Sequence, residues 1–157
     1  MTIQAKDYGS YLSAVLGIAN KAVTAAGAGD AAYEAGAIQD MQALDHPLSG
    51  LAVIPYTTTL AQAATLTMKV KLEHGDDSGL SDAADYTFKV TGGEVSKGVV
   101  ATGDTGGSTE TGVVTQRFDL SGLKRYFRLS VYVDLSAGST DTVSYGSALV
   151  LGGLEKF

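Results

Sequence analysis

LSGLKRYFRLSVYVDLSAGSTDTVSYGSALVLGG, residues 120–153, decides the fold. Within 124–134 one alternating set is Phe127, Leu129, Val131 and Val133, and the other is Tyr126, Arg128, Ser130 and Tyr132. Period two marks a half-buried strand, so the first set is expected in the core and the second outside. After the polar stretch 136–141, Val143, Tyr145, Ser147, Leu149 and Leu151 keep the same phase, which reads as the second arm of a hairpin with a longer loop.

Working outward, the same rhythm recurs. Residues 64–73 set Leu66, Met68, Val70 and Leu72 against Thr65, Thr67, Lys69, Lys71 and Glu73, a strand with one wet face. A strand over 51–56 contains Pro55, which suggests an edge or a strand end. Tyr86, Phe88 and Val90 restart the alternation, 97–101 offers a further short strand, and Val114, Phe118 and Leu120 form an inward set interrupted by Gln116. Residues 20–29 alternate weakly in small side chains, with a partner strand expected around 34–41. Helix is the alternative for this alanine-rich part, but Gly17, Gly27, Gly29 and Gly36 each cost about 1 kcal/mol relative to Ala inside one. Residues 46–50 read as a loop in which Pro47 restricts His46 to extended geometry. Seven to nine short strands between turn clusters predict an all-β antiparallel sandwich or barrel. Residues 1–19 are an arm or short helix and 20–157 a single domain.

The chain has 157 residues and no cysteine, which removes disulfides, thiolate metal sites and cysteine nucleophiles. A net charge of −6, with only Lys124, Arg125 and Arg128 clustered, repels a phosphate backbone, so no nucleic-acid partner is expected. No apolar run approaches the roughly 20 residues that span a bilayer, and no membrane partner is expected. Lys6 followed by 11–19 imitates a secretory signal, but Asp7, Gly17 and Asn20 interrupt it, so the segment is read as retained.

Candidate chemistry is sparse. Gly27-Ala28-Gly29-Asp30-Ala31-Ala32 has relaxed dinucleotide-loop spacing, with Asp45 downstream, but Asp30 would repel a pyrophosphate and no strand–helix–strand unit surrounds it; a plain turn is the reading. Residues 93–98 have phosphate-loop spacing, yet Val99-Val100 replaces the required Lys-Ser/Thr. Asp76, Asp77, Ser78, Asp82 and Asp85 lack calcium-loop spacing and read as a solvated loop. His46 and His74 flank loops without a nucleophile elbow or zinc motif and are expected in solvent. No catalytic residue, metal site or cofactor is therefore expected. Tyr126 and Tyr132 share an outward face with Arg128, a combination enriched at protein interfaces, although these side chains could equally support a second layer such as the N-terminal segment.

The Ala/Thr-rich start (20–29), Ile38-Gln39-Asp40, Ala64-Thr65-Leu66-Thr67, Asp76-Asp77-Ser78-Gly79, Leu123-Lys124-Arg125-Tyr126-Phe127-Arg128 and Leu135-Ser136-Ala137 occur in an order that resembles the capsid cement, or head decoration, proteins of tailed bacteriophages, in particular those similar to the Bordetella phage cement protein. That resemblance implies a jelly-roll-like β-sandwich without enzymatic activity, bound to the outer surface of an HK97-type shell. Its implied partners are the major capsid protein and further copies of itself, as a homodimer or homotrimer. Expected contact residues are Tyr8, Tyr11 and Leu12 in the N-terminal arm, Leu154 and Phe157 in the C-terminal tail, and Tyr126, Arg128 and Tyr132 on the outward strand face. The alternative is a carbohydrate-binding or host-attachment sandwich, which calls for an exposed aromatic platform with amides; Asn20 is the sole asparagine and tryptophan is absent.

Overall fold

The computed structural model describes residues 12–87, 93–136 and 140–153, and among them there are twelve strands and no helix. Phe88 and Val90 lie outside the described residues. The first sheet contains β1 (Leu12–Leu16), β2 (Lys21–Thr24), β5 (Ser49–Leu60), β9 (Ser108–Asp119), β11 (Thr142–Tyr145) and β12 (Ala148–Gly152). The second contains β3 (Ala32–Ala35), β4 (Gln39–Asp40), β6 (Thr65–Gly75), β7 (Ala84–Asp85), β8 (Glu94–Thr102) and β10 (Tyr126–Leu135). Residues 12–16, for which the sequence leaves arm and helix open, thus form a strand on β12.

Registers show that several short strands are interrupted long ones. β12 and β11 pair successive parts of one edge of β5 while β9 runs along the other, and β1 and β2 follow in turn on β12 and β11. Likewise β3 and β4 share one edge of β10, and β7 and β8 share the free edge of β6. Joining the four interrupted pairs gives eight strands in two four-stranded sheets, ordered β1/β2, β11/β12, β5, β9 and β3/β4, β10, β6, β7/β8. Numbered as eight along the chain, these orders are 1-8-3-6 and 2-7-4-5, the double Greek key of a jelly roll.

The core lies between the sheets and follows the alternation. Phe127, Leu129, Val131 and Val133 of β10 meet Leu66, Met68, Val70 and Leu72 of β6 on one side, and Ala52, Ile54, Leu149 and Leu151 line the other; all are buried. Tyr56 and Tyr86 carry hydroxyls into this layer but end them on the carbonyls of Val100 and Asp119, so the aromatic rings are buried without orphaned donors. At one seam the sheets approach so closely that a Cβ on Gly36 would lie 2.6 Å from the Gly17 carbonyl oxygen and 2.7 Å from that of Leu129. Only glycine fits there.

Four sequence expectations are corrected. β10 and β11 are not a hairpin: they belong to opposite sheets, with the Ser136 N–H just past β10 donating to the Thr65 carbonyl at 3.0 Å and the Asp141 carbonyl just before β11 accepting the Ala25 N–H at 2.9 Å. For the same reason β3 is not the partner of β2; β2 pairs with β11 and β3 with β10. Pro55 sits in an interior strand rather than at an edge or end. Its carbonyl accepts from Gly146 at 3.3 Å, so its missing N–H faces the same side, where the neighbour breaks between β11 and β12 and no ladder donor is needed. His46 is not extended: its φ is +48°, following Asp45 at +55°, so the turn into β5 is made by two left-handed residues before Pro47.

Candidate interaction surface

The two outward sheet faces differ in chemistry because their outward phases differ in sequence. On the second sheet, the register sets Arg128 opposite Glu73, Ser130 opposite Lys71 and Tyr132 opposite both Lys69 and Tyr33. Glu73 is the hub: it accepts from Arg128 Nε at 2.8 Å and Ser130 Oγ at 2.7 Å, and pairs with Lys71 Nζ at 3.2 Å. Burial opposes its charge, but the hydrogen bonds from Ser130, Arg128 and Lys71 outweigh burial and hold its carboxyl below the ordinary glutamate range. Lys71 also binds Asp85 at 2.7 Å and lies 4.6 Å over the Tyr33 ring. Lys69 pairs with Glu94 at 3.2 Å and lies 5.0 Å over Tyr132, whose ring tilts against Tyr33 at 5.4 Å. The Tyr33 hydroxyl donates to Glu94, and burial together with that bond raises its pKa.

This face therefore brings together two of the residues read from the sequence, Arg128 and Tyr132, in a network whose three cations (Lys69, Lys71, Arg128) each meet a carboxylate of Glu73, Asp85 or Glu94. Tyr126 stands apart, under Arg125 at 5.0 Å, which itself binds Asp40 at 3.0 Å. A charged ligand would have to break pairs already made, so the network is a brace across β3, β10, β6 and β8. Tyr33 and the residues of β6 and β8 escaped sequence reasoning because cross-strand partners cannot be read from alternation.

The first sheet turns a different face outward. Register aligns Leu16, Ala148, Val53 and Thr115 in one row across four strands, and Ala14, Val150, Leu51 and Arg117 in the next. Pro55 opposite Val113 extends the apolar area along β5 and β9. Leu12, Leu16 and Val113 are 52%, 58% and 60% exposed. Beyond this centre the face continues in threonine, serine and alanine: Thr57 and Thr59 on β5, Thr109 and Thr111 on β9, Thr142 and Ser144 on β11, Ala22 and Thr24 on β2. Among the described residues its charges are Arg117 and Asp119, at one end of β9. Among the described residues, Leu12 is the one sequence-chosen residue on this face. Tyr8, Tyr11, Leu154 and Phe157 lie outside the described residues. The missed signal was in plain view: LAV at 51–53 and ALVL at 148–151 are apolar in both phases, the mark of a strand covered on two sides.

Other candidates resolve into structural roles. Asp30 closes its turn, accepting from Ala26 N–H at 2.7 Å and Leu135 N–H at 2.9 Å. Asp77 and Asp82 accept backbone N–H groups of their own loop, Asp76 pairs with Lys124 and Asp85 with Lys71. His46 is exposed as expected, but His74 is not: it stacks edge-on against Tyr86 at 5.1 Å, and Nδ1 accepts the Lys124 N–H at 3.1 Å. Burial, then the Lys124 charge, lowers its pKa. Asp141 is 2% exposed, with Oδ1 accepting Ala61 N–H at 2.7 Å and Oδ2 unpartnered; it is the only acid among the residues lining a cleft of about 470 Å³ with Thr59, Ser108, Thr109 and Thr140.

The sequence matches no protein-family model and no curated protein. Among solved structures, the infectious bursal disease virus Gx strain aligns over 90% of this chain at 13% identity with a TM-score of 0.44. The VP2 subviral particle of infectious bursal disease virus aligns over 89% at 9% identity, also with a TM-score of 0.44. This chain spans about a third (32%) of the length of each of those chains.

Proposed function

We propose that this chain is a virion structural protein, a cement or decoration protein that binds the outer surface of an HK97-type phage shell and bridges neighbouring capsomers. The observation that carries the reading is the outward face of the first sheet, a contiguous apolar area on a net-negative chain, because exposed patches of that kind mark sites for protein partners. The jelly-roll winding and the order of sequence motifs resembling phage cement proteins support it. This role asks for no chemistry, and in keeping with it His74 braces a loop and the charged network on the second sheet is spent on internal pairs. A carbohydrate-binding role needs an open aromatic platform, whereas Tyr33 and Tyr132 are packed against each other and capped by lysines.

Co-sedimentation with purified phage shells tests the reading. Saturable binding near one copy per shell subunit, or per small integer of subunits, is expected, together with shells that resist heating better when occupied. Absence of binding to both unexpanded and expanded shells, or glycan-array binding of a defined sugar, would overturn it.

A further inference from the structure

We infer that the cleft lined by the Asp141 carboxylate binds an alkylammonium group, the cation carried by a primary amine or a lysine side chain. The cleft lies where β5 stops at Leu60, β9 starts at Ser108 and the chain enters β11 at Thr142, at the end of the first sheet opposite Arg117 and away from its apolar centre. Asp141 is pinned there. Its carbonyl accepts the Ala25 N–H at 2.9 Å, its Oδ1 accepts the Ala61 N–H at 2.7 Å, and the next carbonyl, of Thr142, accepts from Thr58 Oγ1 at 2.8 Å. The carboxylate is therefore held in the fold, and Oδ2 is buried without a partner. Accepting one N–H needs only an amide oxygen, so asparagine would close this junction without a charge. The charge is surplus to the fold, and a buried charge calls for a cation.

The lining selects which cation. Thr59, Ser108, Thr109 and Thr140 bring hydroxyls, and Asp141 is the only charged residue around the cleft. A guanidinium binds best as a fork on both carboxylate oxygens, but Oδ1 is already taken by Ala61. One oxygen remains, which suits the point charge of an ammonium, with hydroxyl oxygens to accept its other N–H groups. Calcium takes about six to eight oxygens, whereas a single acid serves this cleft, and no group of three acids or histidines gathers among the described residues. The volume, about 470 Å³, lies within the range of small-molecule sites, about 300–1,000 Å³, and exceeds what a bare ion fills.

The inference does not rest on the shell-binding role. Amide spectra of the isotope-labelled full chain, titrated with butylamine and separately with Nα-acetyl-lysine amide at constant ionic strength, test it. Saturable shifts are expected at Ala61, Thr109 and Thr140, with a dissociation constant on the order of 1 mM that Asp141→Asn, which keeps the oxygen for Ala61, weakens about tenfold or more. Thr140→Lys, at an exposed position, leaves Asp141 in place and supplies a competing ammonium, so it should weaken binding likewise. It decides the matter if circular dichroism shows that Asp141→Asn does not fold. Shifts with both ligands support the ammonium as such; shifts with the lysine amide alone assign the cation to a protein partner, and with butylamine alone to a free amine. Unmoved amides at tens of millimolar of either ligand would overturn the inference. Equal shifts with potassium chloride or Nα-acetyl-arginine amide, or undiminished binding in the folded variant, would do the same.

Discussion

Glu73 shows how one outward residue can become a structural one. An isolated surface ion pair contributes about 0–1 kcal/mol, but this carboxylate is mostly covered and satisfies Arg128, Ser130 and Lys71 together. Glu73→Gln keeps the shape and removes the charge, leaving Arg128 without a carboxylate and Lys71 with Asp85 alone, and is expected to lower stability by about 1–3 kcal/mol at neutral pH. The sign with pH follows from the depressed carboxyl. Its contribution is fully present above the ordinary glutamate value of 4.5 and is lost as pH falls through the lower folded value. Urea midpoints of wild type and Glu73→Gln should therefore be far apart at neutral pH and converge in acid. A constant gap would assign the loss to packing.

At the scale of elements, the interruptions in the strands are themselves bonded. Where β11 gives way to β12, Ser147 N–H donates to the Ile18 carbonyl at 2.9 Å, Ser147 Oγ accepts the Ile18 N–H at 2.7 Å, and Gly17 N–H donates to the Ser147 carbonyl at 2.9 Å. One buried serine thus takes over the ladder across the gap between β1 and β2, opposite the place where Pro55 supplies no donor. Ser147→Ala would strand the buried Ile18 N–H, and a loss of about 1–3 kcal/mol is expected in chemical denaturation. Ser147→Thr keeps the oxygen and should recover part of it. Equal losses for the two variants would show that crowding, not the hydrogen bond, matters at this position.

For the whole molecule, the topology ties the first described strand to the last. β1 at residue 12 pairs with β12 ending at residue 152, and β5 pairs with β9, β11 and β12, all remote in sequence. Such non-local pairing closes large loops before any reward, so folding in the millisecond-to-second range is expected by stopped-flow fluorescence of the tyrosines. Microsecond folding would contradict the register.

What the sequence determined by itself was which side of β6 and β10 packs into the core: Phe127, Leu129, Val131 and Val133 went in and Tyr126, Arg128, Ser130 and Tyr132 to the other face, where Ser130 is covered, since that choice depends only on alternation along one strand. The turn at Asp30 was legible for a similarly local reason. Partnership was not, because period two is the same whether the next strand lies beside its predecessor or across the core; hence β10 and β11 read as a hairpin and fold into opposite sheets. Nor was the apolar outward face, since Leu16, Val53, Leu51 and Val113 become one surface only when strands far apart in sequence are set in register by hydrogen bonds. The tertiary structure decided those matters because burial is a property of one strand, whereas a surface is a property of several.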